Sequence, residues 1–130
     1  MTTSAAHAAA RNTYTRNTVS TASPAKLLTM LYDRLVRDLT NAVKAIDQGS
    51  IAQANSELQH AQQLVLELRT SLDVDAWSGG PGLDQLYTYL YGELVAANVG
   101  KDARRVAVCL EIIEPLRDAW HQAASGALVP

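Results

Sequence analysis

Between residues 51 and 72 one pattern repeats without a fault. Ala54, Leu58, Ala61, Val65, Leu68 and Leu72 follow one another at alternating steps of four and three. That spacing puts all of them on one stripe of an α-helix, and it matches the seam of a helix packed nearly antiparallel to a neighbour. A strand would need every second residue apolar, which this segment does not offer. The segment is therefore a helix that cannot stand alone, and the rest of the chain has to supply its partners.

The partners are legible on both sides. Upstream, the spacing predicts a helix from Pro24 to about Gln48, with Ser23 as N-cap, Pro24 at the first helical position and Gly49 as a left-handed C-terminal cap. Its inward stripe reads Leu28, Leu31, Leu35, Leu39, Ala42 and Ile46. The link to residue 51 is so short that the two helices must form a hairpin. Downstream, "DVDAWSGGPG" at 73–82 reads as a loop, and without a following Gly-Lys-Ser/Thr it is no phosphate cradle. A third helix is expected from about Leu83 to Asn98, with Leu83, Leu86, Leu90, Leu94 and Ala97 inward. Asp102 should cap a fourth, with Val106, Leu110, Ile113 and Trp120 inward and Pro115 kinking its axis. The fold class is all-α, an antiparallel up-down four-helix bundle. Residues 1–20 read as a mobile N-terminal arm with two apolar points, Tyr14 and Val19. Residues 21–124 form the bundle and 125–130 a flexible end.

Composition narrows the function. The chain has 130 residues, enough for one domain, and its core must be aliphatic because Phe is absent. A net charge of −2 argues against a nucleic-acid binder. A lone cysteine, Cys109, rules out an internal disulfide framework and fits a reducing compartment. Without a membrane-length apolar run or a signal-peptide pattern near the start, the expectation is a soluble, cytoplasmic protein.

The residues that could carry chemistry do not assemble into a site. Helical bundles hold di-metal centres through Glu-x-x-His pairs and further inward carboxylates. Glu57 with His60, and Asp118 with His121, have that form or nearly so. His60, however, falls opposite the second helix's seam, and Asp33, Asp38 and Asp47 fall off the core face of the first helix. Cys109 flanks the fourth stripe and reads as a small buried hydrophobe. Asp73 and Asp75 lie in a polar loop with nothing to shift them, and Arg104 with Arg105 reads as a solvated helix face. Neither an enzyme nor a metal or other cofactor is expected.

What remains is a surplus of apolar residues. On the first helix Leu27, Met30, Tyr32, Val36 and Val43 flank the stripe; on the third, Tyr87, Tyr91 and Val95 make a second stripe; Leu64 and Leu66 add to the second helix. A wide core face accounts for the valines. The tyrosines are harder to hide, since a buried hydroxyl needs a partner, and an exposed strip of polar-tipped aromatics has the character of a docking groove.

The order and spacing of several short pieces resemble the flagellar export chaperones of the FliS type. These are Tyr14 followed by Val19, "TASP" at 21–24, "LLTMLYD" at 27–33, "AN" at 54–55, Leu58 with "HAQ" at 60–62, "EL" at 67–68 and "SLD" at 71–73. The C-terminal half adds "LDQLYTYL" at 83–90, Leu94 with "AAN" at 96–98, and "LRDAW" at 116–120. The resemblance implies a cytoplasmic chaperone that holds the disordered C-terminal segment of flagellin, prevents premature polymerisation and presents the subunit to the flagellar type III export gate. It implies helix-in-groove binding, with the arm able to lie over part of the apolar surface. On this reading Tyr14, Val19, Leu27, Met30, Tyr32, Tyr87 and Tyr91 contact flagellin, with no nucleic acid and no membrane insertion, and a weak homodimer is allowed when client is absent. Two other classes stay open from the residues alone: a structural dimer packed through the tyrosine stripe, and a metal-dependent bundle enzyme.

Overall fold

The computed structural model describes residues 24–126. Among them four helices follow in order: α1 (Pro24–Asp47), α2 (Ile51–Ser71), α3 (Gly80–Gly100) and α4 (Ala103–Ser125), with a single 3₁₀ turn at Val74–Ala76. Each helix packs on its neighbours in sequence, and α4 closes the ring against α1. The expected arm at 1–20 lies outside the described residues, and so do Ser23 and most of the expected flexible end; α4 closes at Ser125, with Gly126 as its left-handed cap.

The links show why the helices stop where they do. At the end of α1, Gly49 takes φ +75°. Its N–H donates to the Ile46 carbonyl (3.0 Å) and the Ser50 N–H to that of Ala45 (2.8 Å), so two otherwise orphaned carbonyls are satisfied. Asp102 caps α4 as the sequence predicts, its Oδ1 accepting from the backbone N–H groups of Arg104 (3.0 Å) and Arg105 (3.3 Å). Between α3 and α4, Lys101 is the left-handed residue, at φ 49°.

The segment read as a loop is shorter than expected, because α3 starts at Gly80. Pro81 sits in its first turn, where the missing N–H costs nothing. Gly80 packs so tightly on the preceding turn that a Cβ there would lie 2.0 Å from the Val74 carbonyl oxygen. Trp77 folds back onto the core, and its indole nitrogen is buried without a hydrogen-bond partner among the described residues. Helix α4 runs through the exposed Pro115 without interruption.

The α2 seam is buried as read: Ala54, Leu58, Ala61, Val65 and Leu68 are sealed from solvent and Leu72 nearly so, with Leu64 added beside them. On α1 and α3 the stripe holds except at one tyrosine on each, one residue further along than expected, and at the end of α1, where Ala45 is buried and Ile46 only partly so. Tyr32 is buried where Leu31 was expected, and Tyr87 where Leu86 was; both leucines are only partly buried. With Tyr87 in place, the α3 seam of Leu83, Tyr87, Leu90, Leu94 and Ala97 alternates steps of four and three just as α2 does. Leu110 is likewise partly buried, and Cys109 is enclosed in its place.

Candidate functional site

Tyr32 and Tyr87 are each 1% exposed, so neither stands on an outer groove wall as the sequence reading expected. They meet across the bundle, hydroxyl to hydroxyl at 2.6 Å. Each supplies the partner whose apparent lack argued against burying the other. Burial raises the Tyr32 pKa above its ordinary value, while hydrogen bonding from Tyr87 and Trp120 works against that rise. The Trp120 ring closes this cluster, its centroid 6.3 Å from that of Tyr32.

One turn further along α3, Tyr91 stands in a different environment. It lines a cavity of about 150 Å³ between α2 and α3, together with Val65, Leu66, Arg69, Tyr87 and Thr88. Leu66 and Tyr91 also line an adjoining depression of about 310 Å³ with Gln59, Gln62 and Gln63. The two depressions form one cleft along the α2–α3 junction, apolar at one end and amide-lined at the other. Leu66 is exposed, and Tyr87 contributes its ring to the floor. The Gln62 amide oxygen is buried and has no donor among the described residues, an acceptor left unsatisfied beside the cleft.

Polar pairs on both sides of the cleft fix the register of its walls. Arg69 Nε donates to Asp84 Oδ1 (3.1 Å) at one end, and Asn98 Nδ2 donates to Asn55 Oδ1 (3.0 Å) at the other. Sequence reading singled out Tyr87, Tyr91 and Leu66 here. It missed the glutamines, whose only signal was their recurrence on one face of α2 at 59, 62 and 63.

The residues expected on α1 do not join this cleft. Met30 is 51% exposed and lines a separate depression of about 300 Å³ with Asp33, Arg34 and Arg37. Leu27 is half-buried nearer the start of the helix. Tyr14 and Val19 lie outside the described residues.

The histidines and carboxylates weighed as metal ligands are engaged elsewhere. Asp38, expected off the core face, is 1% exposed; it accepts from Arg34 Nε (2.9 Å) and pairs with His60 Nδ1 on α2. His121 Nε2 on α4 donates to Asp33 Oδ1 at 2.7 Å. Glu57 accepts from Gln53 Nε2, and Asp118 accepts from Arg117. No group of three or more His, Cys, Asp or Glu side chains able to hold a metal occurs among the described residues. The Cys109 thiol is pushed up to about 11, by burial first and by Glu93 second, with Arg105 opposing. A thiol held protonated in this way is a poor nucleophile at neutral pH. No helix among the described residues is long and apolar enough to cross a membrane.

The fold is an all-α four-helix bundle, with a cleft between α2 and α3 that is apolar and tyrosine-lined at one end and bordered by amide groups at the other. The chain belongs to the FliS family, since the family model described as flagellar protein FliS matches residues 6–127. It is 32% identical over 110 residues to the flagellar secretion chaperone FliS of Bacillus subtilis, covering 85% of this chain and 82% of that one. The protein of the same name from Vibrio cholerae is 30% identical over 105 residues (80% and 77% covered). The Salmonella typhimurium protein is 28% identical over 113 residues (84% and 82% covered).

Proposed function

We propose that this protein is a cytoplasmic flagellar secretion chaperone that works by binding, not catalysis. It holds the disordered C-terminal segment of flagellin, prevents premature polymerisation and aids delivery to the flagellar type III export gate. The observation that carries the reading is the α2–α3 cleft, in a chain whose relatives are named flagellar secretion chaperones. A filament subunit has an apolar face that it cannot bury before assembly, and covering it needs a complementary surface. Leu66 and Tyr91 offer apolar walls over the Tyr87 floor, while the Gln59, Gln62 and Gln63 amides receive backbone groups of the client where its helix is incomplete. Leu27 is a further client contact, and the arm, through Tyr14 and Val19, screens the surface when no client is bound.

The test is calorimetric titration of the protein with a flagellin C-terminal fragment. Tyr91→Asp should weaken binding by about tenfold or more, because the carboxylate is desolvated without a partner. Its thermal melt should stay close to that of the unchanged protein, since Tyr91 stands outside the sealed core. Unchanged affinity in a folded Tyr91→Asp protein would place the client elsewhere on the bundle. A weak client-free dimer, if formed, should dissociate on adding the fragment, which light scattering reads directly.

A further inference from the structure

The outer face of α1, where the sequence reading placed Met30 as a client contact, carries a charged feature that the proposed α2–α3 client cleft does not use. Lys26, Met30, Arg34, Arg37, Asn41 and Lys44 fall within one narrow stripe of the helix, about 27 Å long at the α-helical rise. Among the acids of α1, Asp33 borders the strip and lines the depression beside Met30. It is held by His121, and Asp38 is drawn inward by His60 and Arg34. The crest is thus cationic in a chain whose net charge is −2. Arg37 and Lys44 form no ion pair at all among the described residues. The other helices differ: α3 has no Lys or Arg, α2 has only Arg69, and on α4 Arg105 and Arg117 are paired with acids, leaving Arg104 as its one arginine outside an ion pair among the described residues.

A strip that served only solubility would not place a half-exposed methionine among its cations. Met30 is half-exposed and borders the 300 Å³ depression together with Arg34, Arg37 and Asp33, the last engaged by His121. Methionine is adaptable to apolar groups of varied shape, and arginine forks match carboxylates. We propose that this face docks a disordered acidic segment of a second protein, one that alternates carboxylates with aliphatic residues. The carboxylates pair with Arg37, Lys44 and the outer nitrogens of Arg34, and an aliphatic side chain enters the depression beside Met30. The strip and the α2–α3 cleft are separate depressions with no lining residue in common, so the protein can hold a client in one and a docking partner on the other.

The probe is a fluorescein-labelled peptide of repeated Asp-Glu-Leu-Ser, long enough to span the strip, read by anisotropy against the full chain. Binding is expected at low salt and should weaken as salt screens the charges. The double variant Arg37→Glu with Lys44→Glu should lose about tenfold or more in affinity, and Met30→Ser a smaller factor. The counterpart peptide with Asn and Gln for the acids should fail to bind. Titration of the double variant with the flagellin fragment should be unchanged, which separates this proposal from the assignment of the cleft. If the double variant melts early, Arg37→Ala with Lys44→Ala carries the same test. Equal binding of the peptide by variant and unchanged protein overturns the proposal. So does equal binding of the uncharged counterpart. Tighter binding of duplex DNA or of phosphatidylserine vesicles, lost in the same variants, overturns it in favour of a general polyanion surface.

Discussion

The α2 seam and the tyrosine diagonal from α1 to α3 solve the same packing problem with opposite materials. The seam is wholly aliphatic, with Leu58, Ala61, Val65 and Leu68 sealed and no side-chain polar atom to satisfy. The diagonal buries two hydroxyls and makes them acceptable by setting them 2.6 Å apart. Each position of the seam can be judged alone, because an aliphatic side chain asks only to be away from water. Tyr32 and Tyr87 have to be judged together, since each buried hydroxyl bonds the other. Polarity in a core is a property of pairs, and these partners lie 55 residues apart in the chain.

The comparison breaks most visibly if an aromatic is removed outright. Tyr32→Ala opens a cavity, loosens Trp120 and takes the Tyr32 bond from the Tyr87 hydroxyl, and about 3–5 kcal/mol should be lost in denaturant melts. Trp120→Ala should fall in the same range, while Leu58→Ala on the seam should lose about 2–5 kcal/mol through cavity formation alone. A subtler set sharpens the contrast. Tyr32→Phe keeps the ring but removes the hydroxyl–hydroxyl bond, for a loss of about 1–3 kcal/mol, whereas Tyr32→Phe with Tyr87→Phe should recover part of it. If the double variant is as unstable as the sum of the singles, the hydroxyl pair is not what makes the diagonal tolerable.

Alkali provides the next test. Both Tyr32 and Cys109 are neutral when protonated, and burial raises both above their ordinary values, the thiol from 9.0 to about 11. The unfolded chain therefore releases these protons at lower pH than the folded one does. Stability should hold below pH 9 and decline as pH rises through 9 to 11 on account of Cys109, with Tyr32 adding its share above 10. Cys109→Ala should remove the earlier part of the decline, and the double Phe variant the later part. The smallest effect lies outside both regions: Lys101→Gly relieves a left-handed lysine but loses its side-chain hydrogen bond to the Asn98 carbonyl. A net gain of up to about 1 kcal/mol is expected.

The pattern of what the sequence revealed follows the same division. The α2 seam, the Gly49 turn and the Asp102 cap rest on local rules, and all are found where those rules put them. The α3 start was placed three residues late because "GGPG" reads as loop by composition, whereas Pro81 suits the first turn and Gly80 is demanded by the Val74 carbonyl. Leu31 and Leu86 were preferred over Tyr32 and Tyr87 because no local rule reveals a partner on another helix. The inward pull on Asp38 was hidden for the same reason, its His60 partner being on α2. At the candidate site, Tyr91 and Leu66 were visible as apolar surplus, but the division of that surplus into a cleft on α2–α3 and a separate face on α1 depends on which helices touch.

The two polar pairs that bracket the α2–α3 cleft act like pins through the jaws of a vice. With Arg69 held on Asp84 and Asn55 on Asn98, neither helix can slide past the other without breaking a pin. In the proposed client complex the spacing of the slot is set by these pins, and lining side chains such as Leu66, Gln63 and Tyr91 adjust it. A slot of that kind gauges thickness more than spelling: many apolar sequences will pass along it, and a bulky or branched insertion at the narrow point will not.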